Sequence, residues 1–359
     1  MKKIIKVFLF ATLVLFTFSL FGFTKNVKVS KYNIGKSEIV IEVNSGRILY
    51  QKNAFDKKYM ASTTKILTAI CVIENFDVSK EIVVSKETCN VEGSSIYLED
   101  GEILSIKDLL YGLMLRSGND CAETLAVCCS GNIENFACLM NQTAKRIGAL
   151  NSNFVNPHGL HDDNHYTTAY DLALISAYAI KNPTFKEIVS TKSIDIPFTT
   201  KNTKRKLYNK NKMLSKYEGA TGIKTGFTKK AGRCLVTSAE RNGLELVCVV
   251  LNCPSMWQNS ASNLDYCFDN YKNVKILESD NVLDFYKLSN GEKVGVYIKN
   301  DVYLPLTKNE YENVKIDIKY KNDLKFPLKK GTEIGVVNLF IENNLLFSEK
   351  IYNIVDIKN

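Results

Sequence analysis

"STTKILTAICVIENF", residues 62–76, decides how the chain folds. After Ser62-Thr63-Thr64-Lys65 come Ile66, Leu67, Ala69, Ile70, Val72 and Ile73, which cover nearly every side of a helix with apolar atoms. A helix apolar all round must run through the centre of a domain. The flanking sequence supplies its surroundings. Upstream, "SEIVIEVNSGRILYQKN" (37–53) alternates Ile39, Ile41 and Val43, then Ile48 and Tyr50, about the turn residues Asn44-Ser45-Gly46, which predicts a hairpin. Downstream, "SIKDLLYGLMLRSGNDCAETLAVCC" (105–129) opens with Ser105 and Asp108 in capping-box spacing and puts Leu109, Leu110, Leu113 and Met114 on one helical face. Ser117-Gly118-Asn119 breaks that helix, and a second one is expected from Asp120.

"HYTTAYDLALISAYAI" (165–180) reads as another amphipathic helix. Three strands are expected around Ile223–Phe227, Arg233–Ala239 and Leu244–Leu251. A strand pair, then helices, then a strand triplet predicts an α/β (α+β) sandwich closed by its own two ends. From about Lys272 the pattern changes to short alternating stretches such as "KVGVYIKND" and "NVKIDIKYKN", so residues 272–359 are expected to form a small β-rich domain behind a main domain at 25–271.

Residues 1–24 stand apart. Lys2, Lys3 and Lys6 precede an uncharged run from Val7 to Thr24, the pattern of an export signal, either cleaved or retained as an N-terminal anchor. The protein is therefore expected to work outside the cytoplasmic membrane, with any membrane-surface association made through its N-terminus. Ten cysteines in an exported chain ordinarily suggest disulfides. Here Cys71, Cys121, Cys128, Cys129, Cys138 and Cys248 sit in apolar segments and no C-x-x-C occurs, so they read as small core residues. The formal charge of +9 favours anionic surroundings such as a cell wall or a phospholipid surface. The densest basic stretch, Lys201 to Lys216, reads as a solvated loop or hairpin, not as a nucleic-acid site.

The chemistry starts from Ser62 and Lys65. Spacing i, i+3 on a helix brings hydroxyl and amine within hydrogen-bond reach. A serine needs a base before it attacks, and lysine serves only when neutral, although a free lysine has a pKa of about 10.4. Lowering that by about 3 units costs on the order of 4 kcal/mol, which burial and a second cation can supply. Lys224 is the natural second cation. Two further motifs follow in order, Ser117-x-Asn119 at a helix break and Lys224-Thr225-Gly226 on an expected strand.

Together the three motifs resemble those of the penicillin-binding serine DD-peptidases and the related β-lactamases. The stretches "GRILYQKNAFDKKYMASTTKILTA", "GSSIYLEDGEILSIKDLLYGLMLRSGNDCAE", "NPHGLHDDNHYTTAYDLALIS" and "GIKTGFTKKAGRCLVTSAERNG" are similar to the low-molecular-mass D-alanyl-D-alanine carboxypeptidases in particular. The resemblance covers roughly residues 30 to 270, and the β-rich tail fits the same subgroup. It implies an antiparallel sheet with helices on both faces, and removal of the terminal D-alanine from peptidoglycan stem pentapeptides through an acyl-enzyme. β-Lactams would be covalent inhibitors, and neither cofactor nor metal would be needed.

Carried onto this chain, the resemblance makes Ser62 the nucleophile, Lys65 its proton acceptor and Ser117 a proton relay to the leaving group. Asn119 would hold the substrate amide, Lys224 would tune the field, Thr225 would bind the terminal carboxylate, and Gly226 would let substrate backbone lie against the strand. The N–H groups of Ser62 and Phe227 would form the oxyanion hole. Two departures stand out. Several relatives carry an arginine after the third strand, whereas "CPSMWQNSASNLDYCF" has none, leaving Thr225 with Lys224 or Arg233 for the carboxylate. Many also end in an amphipathic membrane-binding helix, whereas "IYNIVDIKN" alternates like a strand. Alternatives left open are a DD-endopeptidase and a wall- or β-lactam-binding protein of the same fold with little or no turnover. A β-lactamase would need a deacylating glutamate loop between Ser117 and Lys224, and none is evident.

All three histidines lie in "NPHGLHDDNHYTT" (156–168). The spacing of His158, His161 and His165 would suit a metal only on a helix, and Pro157, Gly159, Asp162, Asp163 and Asn164 argue for a loop instead. A structural role is expected for it.

Overall fold

The structure, a computed structural model, describes residues 34–358, and the expected export segment at 1–24 lies outside the described residues. β1 (Ser37–Glu42) and β2 (Ile48–Lys52) pair antiparallel about Asn44-Ser45-Gly46, as the alternation predicts. A tight turn at Ala61–Thr64 then leads into α1 (Lys65–Asn75), whose residues Lys65 through Val72 are all buried. β3 (Glu81–Val83) and β4 (Ile103–Ser105) make a short pair. The expected capping box starts α2 (Ile106–Tyr111): the Asp108 N–H donates to Ser105 Oγ at 3.0 Å, and the Ser105 N–H to the Asp108 carboxylate at 3.3 Å. The chain widens through 112–116, breaks at Ser117-Gly118, and resumes as α3 (Asn119–Ser130), one residue earlier than expected.

α4 (Ile133–Ile147) follows, then α5 (Ala169–Ile180), capped by Thr168, so that "HYTT" belongs to the preceding loop and not to the helix. After α6 (Pro183–Ser190) comes a basic hairpin, β5 (Ser193–Phe198) with β6 (Thr203–Tyr208), and the single turn α7 (Met213–Lys216). The strand triplet is β7 (Ala220–Thr228), β8 (Gly232–Arg241) and β9 (Leu244–Leu251), followed by α8 (Met256–Asn270).

The main sheet runs β2-β1-β9-β8-β7 and is antiparallel throughout. Pairing β1 with β9 is what closes the N-terminal hairpin onto the C-terminal triplet. Because strand side chains alternate faces, each strand divides its residues between two cores. Ile39, Ile41, Val236, Val247 and Val249 pack with Ile66, Leu67 and Ile70 of α1 and with α5 on one face. Val40, Leu235, Leu246, Cys248 and Val250 pack with Met256, Leu264 and Phe268 of α8 on the other. The expected sheet with helices on both faces is the one observed.

The tail is β-rich as well. β10 (Lys272–Leu277) pairs with β13 (Val302–Leu306), while β11 (Asp284–Lys287), β12 (Lys293–Tyr297), β14 (Val314–Tyr320), β15 (Glu333–Ile341) and β16 (Asn344–Asn353) form a sheet in the order β11-β12-β16-β15-β14. Its core is aliphatic, with Val296, Ile298, Leu304, Ile334, Val337, Leu339 and Ile351 all buried. The single turn α9 (Lys308–Tyr311) carries Glu310, which pairs with Arg47 of the main domain's hairpin, and Arg47 also donates to the Pro305 carbonyl. Near the end of the described residues β16 is followed by an isolated bridge, with Ile357 paired to Leu328.

All ten cysteines are free thiols. Cys71, Cys121 and Cys248 are core residues as expected, and Cys129 is half-buried, but Cys128 and Cys138 are exposed. Both occupy outer faces of helices whose neighbouring apolar residues point inward, so an apolar segment did not mean a buried position. Among the described residues no helix is long and apolar enough to cross a membrane.

Candidate active site

Ser62 lies at the N-terminal end of the buried helix, in the tight Ala61–Thr64 turn that leads into α1 at Lys65. Ala61 just before it has a left-handed backbone, φ 49°. Two glycines clamp this turn. A Cβ on Gly226 of β7 would lie 3.0 Å from Ser62 N and from the Met60 carbonyl oxygen, and one on Gly159 would lie 2.0 Å from the Ala61 carbonyl oxygen. Gly226 thus first lets β7 reach the Ser62 turn. Gly159, at φ +85°, brings the histidine loop against its other side.

The histidines themselves are structural, as the loop reading expects, and each has a different partner. His165 is buried; its Nδ1 accepts from the Val155 N–H at 3.1 Å, so Nε2 carries the hydrogen and faces Thr64 Oγ1 at 2.7 Å. That hydroxyl donates onward to the Ala61 carbonyl at 2.8 Å. Burial pushes the His165 pKa down to about 3, so the neutral ring holds the turn across the physiological range. His158 Nε2 faces Glu123 at 3.3 Å, and His161 Nε2 faces Asp163 at 3.3 Å.

Lys65 is completely buried. Its Nζ lies 2.6 Å from Asn119 Oδ1, 2.6 Å from the His158 carbonyl oxygen and 3.2 Å from Ser62 Oγ. The orientation of Asn119 is fixed, because its Nδ2 donates to the Glu92 carbonyl. Both close partners can only accept. In its neutral form the amine has two N–H bonds and one lone pair, so with both hydrogens on the two obligate acceptors the lone pair would be left for the Ser62 hydroxyl. The amine is held well below the ordinary lysine range, first by burial and then by the charge of Lys224. Lys224 is itself buried, donates to the Thr225 carbonyl at 3.0 Å, and is pushed down to about 7 by burial and by Lys210. No ion pair to either lysine forms among the described residues.

A cleft of about 390 Å³ opens over this centre, lined by Ser62, Ser117, Thr225, Gly226 and Phe227 together with Ser94, Lys210, Arg233, Met256 and Trp257. Ser117 is placed there by a left-handed backbone, φ 66°, at the break before α3. A non-glycine residue in that region carries strain, which is found most often at functional sites. Phe227 is 65% exposed. β7 is an edge strand of the sheet, and an extended peptide can be added to such an edge.

All eight residues singled out in the sequence therefore converge: five line the cleft, and Lys65, Asn119 and Lys224 lie beneath it. Several partners had no signal of their own. Asp120, fully buried, accepts from the Ile96 and Leu98 N–H groups at 3.1 Å each and fixes the wall that carries Ser94. Lys210, in the stretch expected to be a solvated loop or hairpin, reaches Ser94 Oγ at 3.2 Å at the cleft just after the β5–β6 hairpin. A chain break after an apolar helix and the run "NKNK" were the only traces of these in the sequence.

Comparison with known proteins agrees with this geometry. The family described as D-alanyl-D-alanine carboxypeptidase matches residues 25–255, and the C-terminal domain of penicillin-binding protein 5 matches residues 271–359. The carboxypeptidase DacF of Bacillus subtilis is 31% identical over 324 residues, 87% of this chain and 82% of that protein. Penicillin-binding protein 5 from Haemophilus influenzae superposes with a TM-score of 0.78 at 28% identity, over 92% of this chain and 100% of that one. The carboxypeptidase DacD from Francisella tularensis gives 0.69 at 26% identity, over 90% and 94%. With a serine and a fully buried lysine at the base of the cleft and matches spanning both domains, this chain belongs to the D-alanyl-D-alanine carboxypeptidase family of serine peptidases.

Proposed function

We propose that the cleft cleaves the terminal D-alanine from peptidoglycan stem pentapeptides in the following way. The Lys65 lone pair takes the Ser62 proton as Oγ attacks the penultimate D-alanine carbonyl. The resulting oxyanion is held by the Ser62 and Phe227 N–H groups, each such donor being worth roughly 3 kcal/mol. The proton passes by way of Ser117 to the departing amine, the C–N bond breaks, and D-alanine leaves an acyl-Ser62. Water, activated by the same lysine, then releases the shortened peptide. Asn119 holds Lys65 in place and lies where it can meet the substrate amide. Thr225 takes the terminal carboxylate, and Lys224 keeps the field positive enough to hold Lys65 neutral.

The single observation that carries this reading is the Lys65 amine, whose two hydrogens are claimed by Asn119 Oδ1 and the His158 carbonyl. β-Lactams would acylate the same hydroxyl. We place the work outside the cytoplasmic membrane, with residues 1–24 as export signal or anchor, residues 25–271 as the catalytic domain and 272–359 as an accessory β domain. The test is to incubate the protein lacking residues 1–24 with a pentapeptide ending in D-Ala-D-Ala and, separately, with a cross-linked tetrapeptide dimer. Free D-alanine from the first, lost in Ser62→Ala together with labelling by fluorescent penicillin, is the expected result. Cleavage of the dimer alone would make it an endopeptidase, and undiminished turnover by Ser62→Ala would remove Ser62 as nucleophile.

A further inference from the structure

We propose that Arg233 is the cation that selects substrates by their free terminal carboxylate, an assignment that rests on the carboxypeptidase reading above. Relatives that place an arginine after the third strand have no counterpart here, since residues 251–270 contain neither lysine nor arginine. A carboxylate still needs a donor set, and the sheet register points to one. Thr225 pairs with Leu235 and Phe227 with Arg233 across β7 and β8. Residues two apart share a face, so Thr225, Phe227, Leu235 and Arg233 all project to the same side, the side on which Leu235 packs with Met256 of α8. Lys224, one residue out of phase, projects to the other face, where it faces Lys65 and donates to the Thr225 carbonyl.

Thr225 and Arg233 are therefore diagonal cross-strand neighbours, a separation that a long side chain spans. The cleft follows that geometry, running from Ser62 and Ser117 past Thr225 to Arg233 and Trp257. Arg233 is exposed, and no acidic side chain pairs with it among the described residues. Its backbone is nevertheless anchored, the Cys253 N–H donating to its carbonyl at 2.8 Å. A planar guanidinium held beside a threonine hydroxyl suits a carboxylate, which it can grip with two parallel N–H bonds. Lys210, the other cleft cation, is engaged with Ser94 at 3.2 Å on the Ser117 side.

The experiment compares one peptide ending in D-Ala-D-Ala as the free acid and as the C-terminal carboxamide, measuring kcat and KM for wild type, Arg233→Gln, Arg233→Lys and Lys210→Gln. Wild type should favour the acid. In Arg233→Gln the acid-to-amide ratio of kcat/KM should fall by about 10–100-fold, the size of a lost charge-assisted hydrogen-bond pair, mostly through KM. Arg233→Lys should fall between, because it keeps the charge without the fork, and Lys210→Gln should retain a higher ratio than Arg233→Gln. An unchanged ratio in Arg233→Gln overturns the assignment, as does a ratio that collapses in Lys210→Gln while surviving in Arg233→Gln. If wild type releases D-alanine normally in either case, only the Arg233 assignment falls; if it cleaves neither peptide, the carboxypeptidase reading falls and takes this one with it.

Discussion

Lys65 and Lys224 are buried beneath the cleft with no ion pair among the described residues, whereas Lys321 and Lys350 of the C-terminal domain share Glu333 at 2.7 Å each in contact with solvent. The same residue type is handled in opposite ways. In the tail, each ammonium keeps its water and gains a modest ion pair. In the main domain, two amines are stripped of water, Lys65 is pushed down further by Lys224 and Lys224 by Lys210, and the left-handed backbones of Ala61 and Ser117 add strain nearby. Such a site costs stability in order to hold a base neutral, while the tail sheet has no such requirement and packs on an aliphatic core.

The largest break of that contrast is Lys65→Met. Loss of the base should slow acylation of Ser62 by about 10²–10⁴-fold, the usual worth of general-base catalysis. The melting temperature should rise all the same, because a buried amine has been replaced by an apolar chain of similar length. Stopped-flow acylation by a chromogenic β-lactam together with thermal melts reads both. A Lys65→Met protein that acylates at the wild-type rate would remove lysine from the role of base.

Next in size is Lys224→Met, which isolates the cost of burial and gives it a pH signature. The folded pKa of Lys224 is about 7, below the unfolded lysine value near 10.4. As pH falls from about 10.4 to about 7 the unfolded chain takes up a proton that the folded chain does not, so wild-type stability falls through that window. The methionine variant lacks this slope. Its gain should be on the order of 4 kcal/mol at pH 7, given about 1.4 kcal/mol per pKa unit, and should shrink toward zero as pH approaches 10.4. Urea unfolding at pH 7 and pH 10 measures it; an equal gain at both would show that burial does not lower the Lys224 pKa.

The sequence carried the parts of this site that depend on residue type. The proposed nucleophile, base and relay need hydroxyls and amines at short separations, so Ser62, Lys65, Ser117 and Lys224 stood out. The alternation of Ile39 to Tyr50 and the capping box at Ser105 were legible for the same reason, since each is local. What could not be read depends on backbone and on distant register. The acceptor completing the Lys65 environment is the main-chain carbonyl of His158, which any residue would offer. The Ser62 turn is contacted closely by Gly159 and Gly226, which come from segments far away in the chain. Arg233 reaches the cleft only through the pairing of β7 with β8, and Cys128 and Cys138 are exposed because their helices face the core with other residues.

The smallest effect belongs to the tail. Lys350→Ala removes one of the two ammonium groups on Glu333, whose carboxyl is held below the usual range first by Lys321 and then by Lys350. Exposed ion pairs of this kind contribute little, because water screens them and two long side chains must be ordered to form them. With Lys321 still in place, Glu333 keeps a partner. The melting temperature should hardly change at low salt and should match wild type at high salt, where screening removes what remains. A large, salt-independent loss would mean that Lys350 is integral to the packing of β15 against β16, and the tail would then rely on its charges as closely as the cleft does.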